Sequence, residues 1–434
     1  DYDQPVSFSF NGRKITGYRG DSIASALLAA DIRLVGRSYK YGRPRGIVAA
    51  GPEEPNAILQ LGKREATQIP NVRATQQEIY EGLVCASTNG WPNLKYDAKG
   101  LLGRLIGRFL PAGFYYKTFM FPAFLWDFYE SVIRQAAGLG RAPAKSDPDT
   151  YDHLHHHADV LIVGAGPAGL QAAKVVAQSG ARVILVDENP QLGGSLLVDQ
   201  YEIDGSTAIK WVSETEDQLQ INDVVILSRT TVVGYHDHNY LVAHERRTDH
   251  VSESTLQSSR QRMHLIRASH VIIATGAQER PLVYANNDLP GCMQAYAVKS
   301  YIRKFGVVPG KKLILMATND AAWETAFAWF DAGREVVAIV DSRAAPCADV
   351  LEGAVGRGIP VFASSGVIEA LGTASVRGAR VARLSEGLVE GTVQNLDCDT
   401  IASSGGWSPV VHLTCHTGVR PVWRDDIAGF LPGS

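Results

Sequence analysis

The residues with the clearest chemical meaning form a glycine-rich turn between two apolar segments. The pattern begins with an apolar run at 160–163 and the glycines Gly164, Gly166 and Gly169. A helical pattern follows at 170–178, and then a second apolar run at 183–186 that ends in Asp187. This order and spacing predict a βαβ unit that binds a dinucleotide. Its helix N-terminus would offer free backbone N–H groups and a positive dipole end to the phosphates.

Each residue of this turn has a predicted role. Gly164 makes the tight turn, Gly166 lets backbone approach the pyrophosphate, and Gly169 lets the helix pack on the strand. Asp187 would accept hydrogen bonds from the adenosine ribose hydroxyls; alternatively, it only caps the following turn, which Asn could also do. Glu188 follows with no Arg directly after it, so a 2′-phosphate would be repelled and the sequence favours NAD over NADP.

A second strand–helix–strand pattern has no glycine in its turn. Its predicted elements are 312–316, 322–331 and 336–340, and the turn is 317–322. Side chains would crowd a pyrophosphate there, and Asp320 would place a carboxylate at the helix N-terminus. We therefore expect one nucleotide site on the chain, with the second lobe degenerate.

No residue set predicts bond-making chemistry. The five cysteines are widely spaced without a CxxC pair, which argues against a redox dithiol and fits a reducing, cytoplasmic setting. No Ser-His-Asp set or carboxylate pair is recognisable, so no catalytic residue is assigned. The histidines at 153, 155, 156 and 157 could bind a metal, but a solvent-facing linker or the remnant of a tag is favoured, and no metal is predicted. A nucleotide site without further chemistry suggests a subunit of a larger oxidoreductase.

The N-terminal segment predicts a β-grasp domain. Alternating residues flank Asn11-Gly12, a hairpin signal, and Asp21-Ser22 offers an N-cap to a short helix. The loop that follows is rich in arginine and tyrosine. It could bind RNA, or dock on an acidic neighbour or a cofactor phosphate; the net charge of −3 over 434 residues favours docking. No cysteine precedes Cys85, which excludes an iron–sulfur centre in this domain.

An aromatic segment at 105–137 is interrupted by charges and two prolines, so it is not a membrane span, and we expect it to be covered by a domain or subunit. The sequence predicts four parts. The first is a β-grasp domain at 1–97, and the second is a helical aromatic segment with a linker at 98–157. A first dinucleotide-binding lobe follows at 158–280 plus 395–434, and a degenerate second lobe at 281–394.

Long motifs along the whole chain resemble the alpha chains of heterotetrameric sarcosine oxidases. They are RSYKYGRPRGIVAAGPEEPNA, LPAGFYYKTFMFP, YDHLHHHADVLIVGAGPAGL, ATGAQERPLVYANNDLPG and SSGGWSPVVHL. The resemblance implies an α/β fold, a ferredoxin-like β-grasp domain followed by a two-lobed Rossmann-type fold like that of pyridine-nucleotide-disulfide reductases. It also implies NAD bound to this chain, FAD on a beta subunit, FMN at the interface with that subunit, and gamma and delta subunits. Sarcosine would be oxidised on the partner, and oxygen would become hydrogen peroxide.

The resemblance also suggests roles for individual residues. Pro167 and Ala168 complete the phosphate turn, and Asp187 with Glu188 takes the ribose role. Gly194 and Ser195 lie in a loop similar to the one that closes over the pyrophosphate in flavoprotein reductases. Thr275 and Gly276 follow a strand in the same way as at a similar strand end of those reductases. The remaining assignments are adenine contact for Val232 and closure over the nucleotide for Ser408 and Leu413.

Two alternatives stay open. Related alpha subunits of opine, proline and other amine dehydrogenases bind a flavin, so FAD is the alternative cofactor. The chain could also be a non-catalytic assembly module. Family alpha chains continue into a folate-binding domain, so we expect a fragment or a split subunit, and the amine substrate is not identified.

Overall fold

The computed structural model describes residues 3–98, 100–101, 121–252 and 258–433. The chain separates into two compact units, Asp1–Pro148 with Pro281–Gly405, and Asp149–Arg280 with Gly406–Ser434. Each unit is therefore built from two stretches of sequence.

The strands of the described residues fall into three stretches of the chain. Those before residue 150 are β1 Pro5–Phe10, β2 Arg13–Tyr18, β3 Gly36–Arg37, β4 Pro44–Arg45, β5 Ile58–Leu61, β6 Ile69–Arg73 and β7 Val84–Ser87. Those between 150 and 280 are β8 Tyr151–Val163, β9 Val183–Val186, β10 Glu202–Ile203, β11 Ser206–Thr207, β12 Val225–Leu227, β13 Thr230–His236, β14 Tyr240–Arg246, β15 Gln261–Ile273 and β16 Ala277–Glu279. Those after 280 are β17 Cys292–Gln294, β18 Lys312–Ala317, β19 Glu335–Asp341, β20 Val361–Phe362, β21 Ser365–Gly372, β22 Val376–Ser385, β23 Leu388–Leu396, β24 Thr400–Ser404, β25 Trp407–Pro409, β26 Val422–Arg424 and β27 Gly429–Leu431.

The helices within the described ranges are fewer than the strands and mostly short. They are α1 Ile23–Ala29, α2 Trp126–Ala137, α3 Pro167–Ala177, α4 Ala208–Ile221, α5 Ala295–Phe305, α6 Trp323–Asp331, α7 Ala348–Gly356 and α8 His412–His416. No helix in the described ranges is long and apolar enough to cross a membrane.

The β-grasp fold predicted for the N-terminus is confirmed. Its sheet has the order β2-β1-β7-β5-β6, with β7 parallel to β1. The hairpin turns at Asn11, whose φ of 50° lies in the left-handed region that Asn tolerates. Ser22 caps α1 by accepting a hydrogen bond from the Ser25 amide, and the apolar face of α1 is buried against the sheet.

A buried carboxylate organises the loop where ferredoxins of this fold hold their cluster. Glu54 is 1% exposed. One of its oxygens accepts from the Val48 and Ala49 amides, both at 2.8 Å, and the other from the Asn56 and Ala57 amides at 2.8 and 2.9 Å. The loop is therefore folded around the carboxyl group of its own side chain; burial raises the pKa of Glu54, although the four amide bonds act to lower it.

The arginines of the same loop dock on acidic residues of their own unit. Arg43 donates to both oxygens of Asp288, at 2.7 and 2.6 Å, and Arg45 also pairs with Asp288. Arg33 pairs with Asp399 at 3.3 Å. These contacts match the predicted docking on an acidic neighbour, and they hold the β-grasp loop against the second lobe.

The second lobe has a parallel sheet of order β17-β24-β18-β19-β20. Asn319 caps the helical turn after β18 by accepting a hydrogen bond from the Ala322 amide at 3.1 Å, and Asp320 lies in the first turn, at the helix N-terminus. Asp320 pairs with Arg343 at 2.7 Å, and Arg343 also bonds the fully buried Asp341 at 2.8 Å. This network lies where the strands of a Rossmann lobe end, the place a second nucleotide would need.

The first lobe has a six-stranded sheet of order β12-β9-β8-β15-β14-β13. The prediction of a linker up to residue 157 is wrong, because Tyr151–Val163 is one strand paired in parallel with β15 along its length. The boundary at 395 is also wrong: β24 pairs with β17 and β18 and so belongs to the other unit. Both errors arise because the partner strand, which is distant in sequence, decides where a strand belongs.

The aromatic segment lies partly outside the described residues. Its described part includes α2, and Phe121, Phe124 and Phe128 are 84%, 83% and 64% exposed. The prediction that a domain or subunit covers this segment therefore stays a prediction.

We expect two of the five thiols to react with a disulfide reagent at pH 8 in the folded chain. Cys347 and Cys415 are exposed, whereas burial raises the pKa of Cys85, Cys292 and Cys398 to about 12, so these three hold little thiolate. A time course with Ellman's reagent should show two fast equivalents and three more only in denaturant. More than two fast equivalents in the native chain would contradict the described burial.

Candidate nucleotide-binding site

The glycine turn joins the end of β8 to the start of α3. Gly164 has a φ of 100°, and a Cβ there would lie 2.3 Å from the Ala274 carbonyl oxygen. A Cβ on Gly169 would lie 1.8 Å from the Gly164 carbonyl oxygen. Both positions therefore require glycine for the fold itself, which matches the tight-turn and helix-packing roles predicted for them.

Gly166 differs from these two glycines. It is the N-cap of α3, Pro167 is the first helical residue, and Ala168 and Gly169 complete the first turn. A Cβ on Gly166 would meet no atom within 4 Å, so the chain itself leaves open the space in front of this backbone. An eleven-residue helix whose N-terminus faces open space can accept phosphate oxygens.

The backbone of Ala165 joins the turn to two further segments. Its amide donates to Asp187 Oδ2 at 2.7 Å, and its carbonyl accepts from the Gly193 amide at 2.8 Å. A Cβ on Gly194 would lie 2.9 Å from Gly166 Cα, so the loop with Gly194 and Ser195 borders the glycine turn. The predicted phosphate turn and pyrophosphate loop are thus brought together.

Asp187 is turned into the protein. It is 9% exposed, and its second carboxylate oxygen accepts from the Asn189 amide at 2.8 Å and from the Asn189 side chain at 3.0 Å. The observed contacts correspond to the alternative role as a cap of the following turn, extended by the bond to Ala165. Its predicted ribose contact remains a proposal, and Glu188, which is half-buried, is the next residue along this edge.

A residue that the sequence did not suggest reaches the same turn. Arg246 donates from Nη2 to the Glu188 carbonyl at 2.9 Å, although it lies 58 residues further along the chain. No local pattern could have indicated it, since the antiparallel pairing of β14 with β13 and β15 brings it there. It adds a positive charge beside the two predicted ribose carboxylates.

The remaining predicted residues lie on two neighbouring segments. Thr275 Oγ1 donates to the Val410 carbonyl at 3.0 Å, and the Val410 amide donates to the Gly276 carbonyl at 3.0 Å. Ser408 lies on β25, which pairs with β16, and Leu413 packs on the apolar cluster beneath β13. Val232 packs on that same cluster, beside a bulge in β13. The structure brings Thr275 and Gly276 beside the 408–413 segment, while contact of these residues with a nucleotide remains a proposal.

Asp187→Asn is expected to leave the chain folded but to lower its free energy of unfolding by about 1–3 kcal/mol. The amide keeps one acceptor oxygen, so either the Ala165 amide or the Asn189 amide would face an NH₂ group. Urea unfolding would measure this, with the exposed Asp217→Asn on α4 as the matched control. Equal stability of both variants would show that the internal bonds of Asp187 contribute little.

Two family profiles match the chain. Residues 3–90 match the 2Fe-2S iron-sulfur cluster binding domain, and residues 158–425 match pyridine nucleotide-disulphide oxidoreductase. The residues present do not fit a cluster, because Cys85 is the only cysteine in the first range and a [2Fe–2S] centre needs four ligands.

Relatives match the chain along its length. It is 45% identical to the alpha chain of the sarcosine oxidase of Rhizobium meliloti (strain 1021), over 100% of this chain and 43% of the relative. It is 30% identical to one of the subunits of the opine oxidase of Agrobacterium tumefaciens (strain Ach5), over 47% of this chain and 40% of that one. The chain thus spans less than half the length of these relatives.

A solved structure shows the same fold. The L-proline dehydrogenase from P. horikoshii superimposes with a TM-score of 0.60 at 18% identity, covering 99% of this chain and 65% of that one. The predicted resemblance to the alpha chains of sarcosine oxidases is confirmed by the full-length match. With its profile match over more than half its length and the glycine turn described above, the chain belongs to the pyridine nucleotide-disulphide oxidoreductase family.

Proposed function

We propose that this chain is the NAD-binding alpha subunit of a sarcosine-oxidase-type multisubunit flavoprotein that oxidises a secondary amine. The observation that carries the proposal is the open backbone position at Gly166, at the N-terminus of α3 and bordered by Gly194. The full-length similarity to the alpha chain of a sarcosine oxidase supports the type of complex.

In this proposal the chain binds and orients a nucleotide and docks on partners. The turn from Gly164 to Gly169 would hold the pyrophosphate, while Glu188 and Asp187 would face the ribose end. When bound, the flavins of the complex, FAD on a beta subunit and FMN at its interface with this chain, supply the redox chemistry. Gamma and delta subunits complete the proposed heterotetramer.

The first test identifies the nucleotide. Denaturing the isolated, purified chain should release colourless NAD, identified by its mass and by enzymatic reduction. Recovery of NADP would contradict the ribose argument and point to Arg246 as the partner of the 2′-phosphate. Absence of any bound nucleotide would contradict the binding role.

A flavin-bearing alpha subunit is the second candidate function. It is favoured by the similarity to one of the subunits of an opine oxidase. Release of a yellow flavin from this chain instead of NAD would decide for it, since either cofactor carries an ADP moiety that suits the glycine turn.

The second test identifies the activity. The chain alone should produce no hydrogen peroxide with sarcosine, because no acid, base or redox pair has been recognised in its sequence. Co-purification with its partners, followed by a panel of secondary amines, should identify the substrate. Peroxide formation by the isolated chain would contradict the proposal that this chain binds the nucleotide while its partners carry out the oxidation.

A further inference from the structure

Three histidines point from one face of β8. His153, His155 and His157 occupy alternate positions of a regular strand, so their side chains share one face, and all three are exposed. His156, on the opposite face, is bonded to His264 at 2.8 Å. The in-register pairing of β8 with β15 makes these residues part of the sheet, so their backbone has a fixed geometry that a flexible linker would lack.

The first two rings lie at a spacing that suits one metal ion. The ring centres of His153 and His155 are 5.7 Å apart, with their planes at 82°. An ion bound tetrahedrally at about 2.1 Å from one nitrogen of each ring would place the centres about 5 Å apart. A small side-chain rotation closes this difference. Neither ring is hydrogen-bonded to another residue within the described ranges.

The neighbours on β15 restrict the site to this pair. Met263 lies beside His153 and Leu265 beside His155, and neither carries a charge. Arg267 lies beside His157 and would repel a cation there. In the described part of the chain, no three His, Cys, Asp or Glu residues form a metal cluster, so water would complete the coordination.

We propose that His153 and His155 form a surface site for one divalent transition-metal ion that prefers imidazole ligands. Neutral imidazole suits Zn²⁺, Ni²⁺ and Cu²⁺, with Cu²⁺ bound most tightly by such a donor set. With two protein ligands, the site binds more weakly than a four-ligand structural centre, and it exchanges its metal readily. This site lies outside the nucleotide chemistry proposed above and does not depend on it.

The test uses the full chain without any affinity tag and titrates it with ZnCl₂ by calorimetry at pH 7.5. Wild type should bind one Zn²⁺ per chain in a saturable step. His153→Thr and His155→Thr, which keep a residue suited to a strand, should each weaken this step at least about tenfold, and the double variant should abolish it. His270→Thr, which removes an exposed histidine from β15, is the matched control and should bind as wild type does.

Unchanged binding by the double variant, loss of binding in the His270→Thr control, or absence of saturable binding by wild type would overturn the proposal. A circular dichroism spectrum of each variant separates loss of the site from loss of the fold.

Discussion

Glu54→Gln is expected to lower the free energy of unfolding by about 3–5 kcal/mol. The carboxylate accepts four backbone amides at 2.8–2.9 Å in a site that is 1% exposed. Glutamine keeps one oxygen for two of these amides and turns an NH₂ group toward the other two. Since a domain of this kind is stable by only about 5–15 kcal/mol, the variant should unfold at much lower urea concentration.

The matched control is Glu53→Gln, which removes the neighbouring carboxylate and for which we expect a change below about 1 kcal/mol. Cys85 offers a local reporter, since it is buried in the β-grasp sheet. Its thiol should become reactive in Glu54→Gln under conditions where it stays protected in Glu53→Gln. Equal unfolding midpoints for the two variants would show that the loop does not depend on the buried carboxylate.

Gly166→Ala is expected to reduce nucleotide affinity by at least about a hundredfold while changing stability by less than about 1 kcal/mol. The backbone of Gly166 has a φ of −73°, which alanine adopts freely, and the added methyl meets no atom of the chain. It would instead fill the space proposed for the pyrophosphate. The measurement is nucleotide retained after dialysis, together with the midpoint of thermal unfolding.

Two other glycines make this experiment selective. Gly169→Ala should prevent folding of the first lobe, because its Cβ would lie 1.8 Å from a backbone oxygen. Gly356→Ala, at the end of α7 with no atom near its Cβ, should change neither stability nor nucleotide. Full retention of nucleotide by Gly166→Ala would remove the observation on which the proposed function rests.

Features of the fold that depend only on neighbouring residues could be predicted from the sequence pattern. The spacing of Gly164, Gly166 and Gly169 indicates the turn, and at Gly164 and Gly169 nearby backbone leaves no room for a Cβ. Asn11 indicates the hairpin because Asn tolerates the left-handed φ of 50° that this turn requires. These features need no knowledge of distant segments.

Other features depend on distant partners and could not be predicted from local patterns. The histidine-rich start of β8 looks like a linker until β15 is known to lie beside it. The four amides around Glu54 converge only because the loop folds back on itself. The sequence allows Asp187 either to contact the ribose or to cap the following turn. Its capping contact with Asn189 and its bond to the Ala165 amide could be seen only in the structure.

The position of β24 affects how the protein is made on the ribosome. This strand lies between β17 and β18 in its sheet, yet it is separated from β18 by most of the second lobe and from the β-grasp domain by the entire insertion 149–280. Once β18 is complete at residue 317, a further 83 residues must be made to reach residue 400, which takes about 4–17 s at about 5–20 residues per second. Throughout that interval the sheet lacks one of its inner strands and exposes pairing edges on β17 and β18. The nascent chain therefore passes through a stage in which protection by a chaperone would prevent mispairing, and truncations before residue 400 should aggregate instead of giving a smaller folded domain.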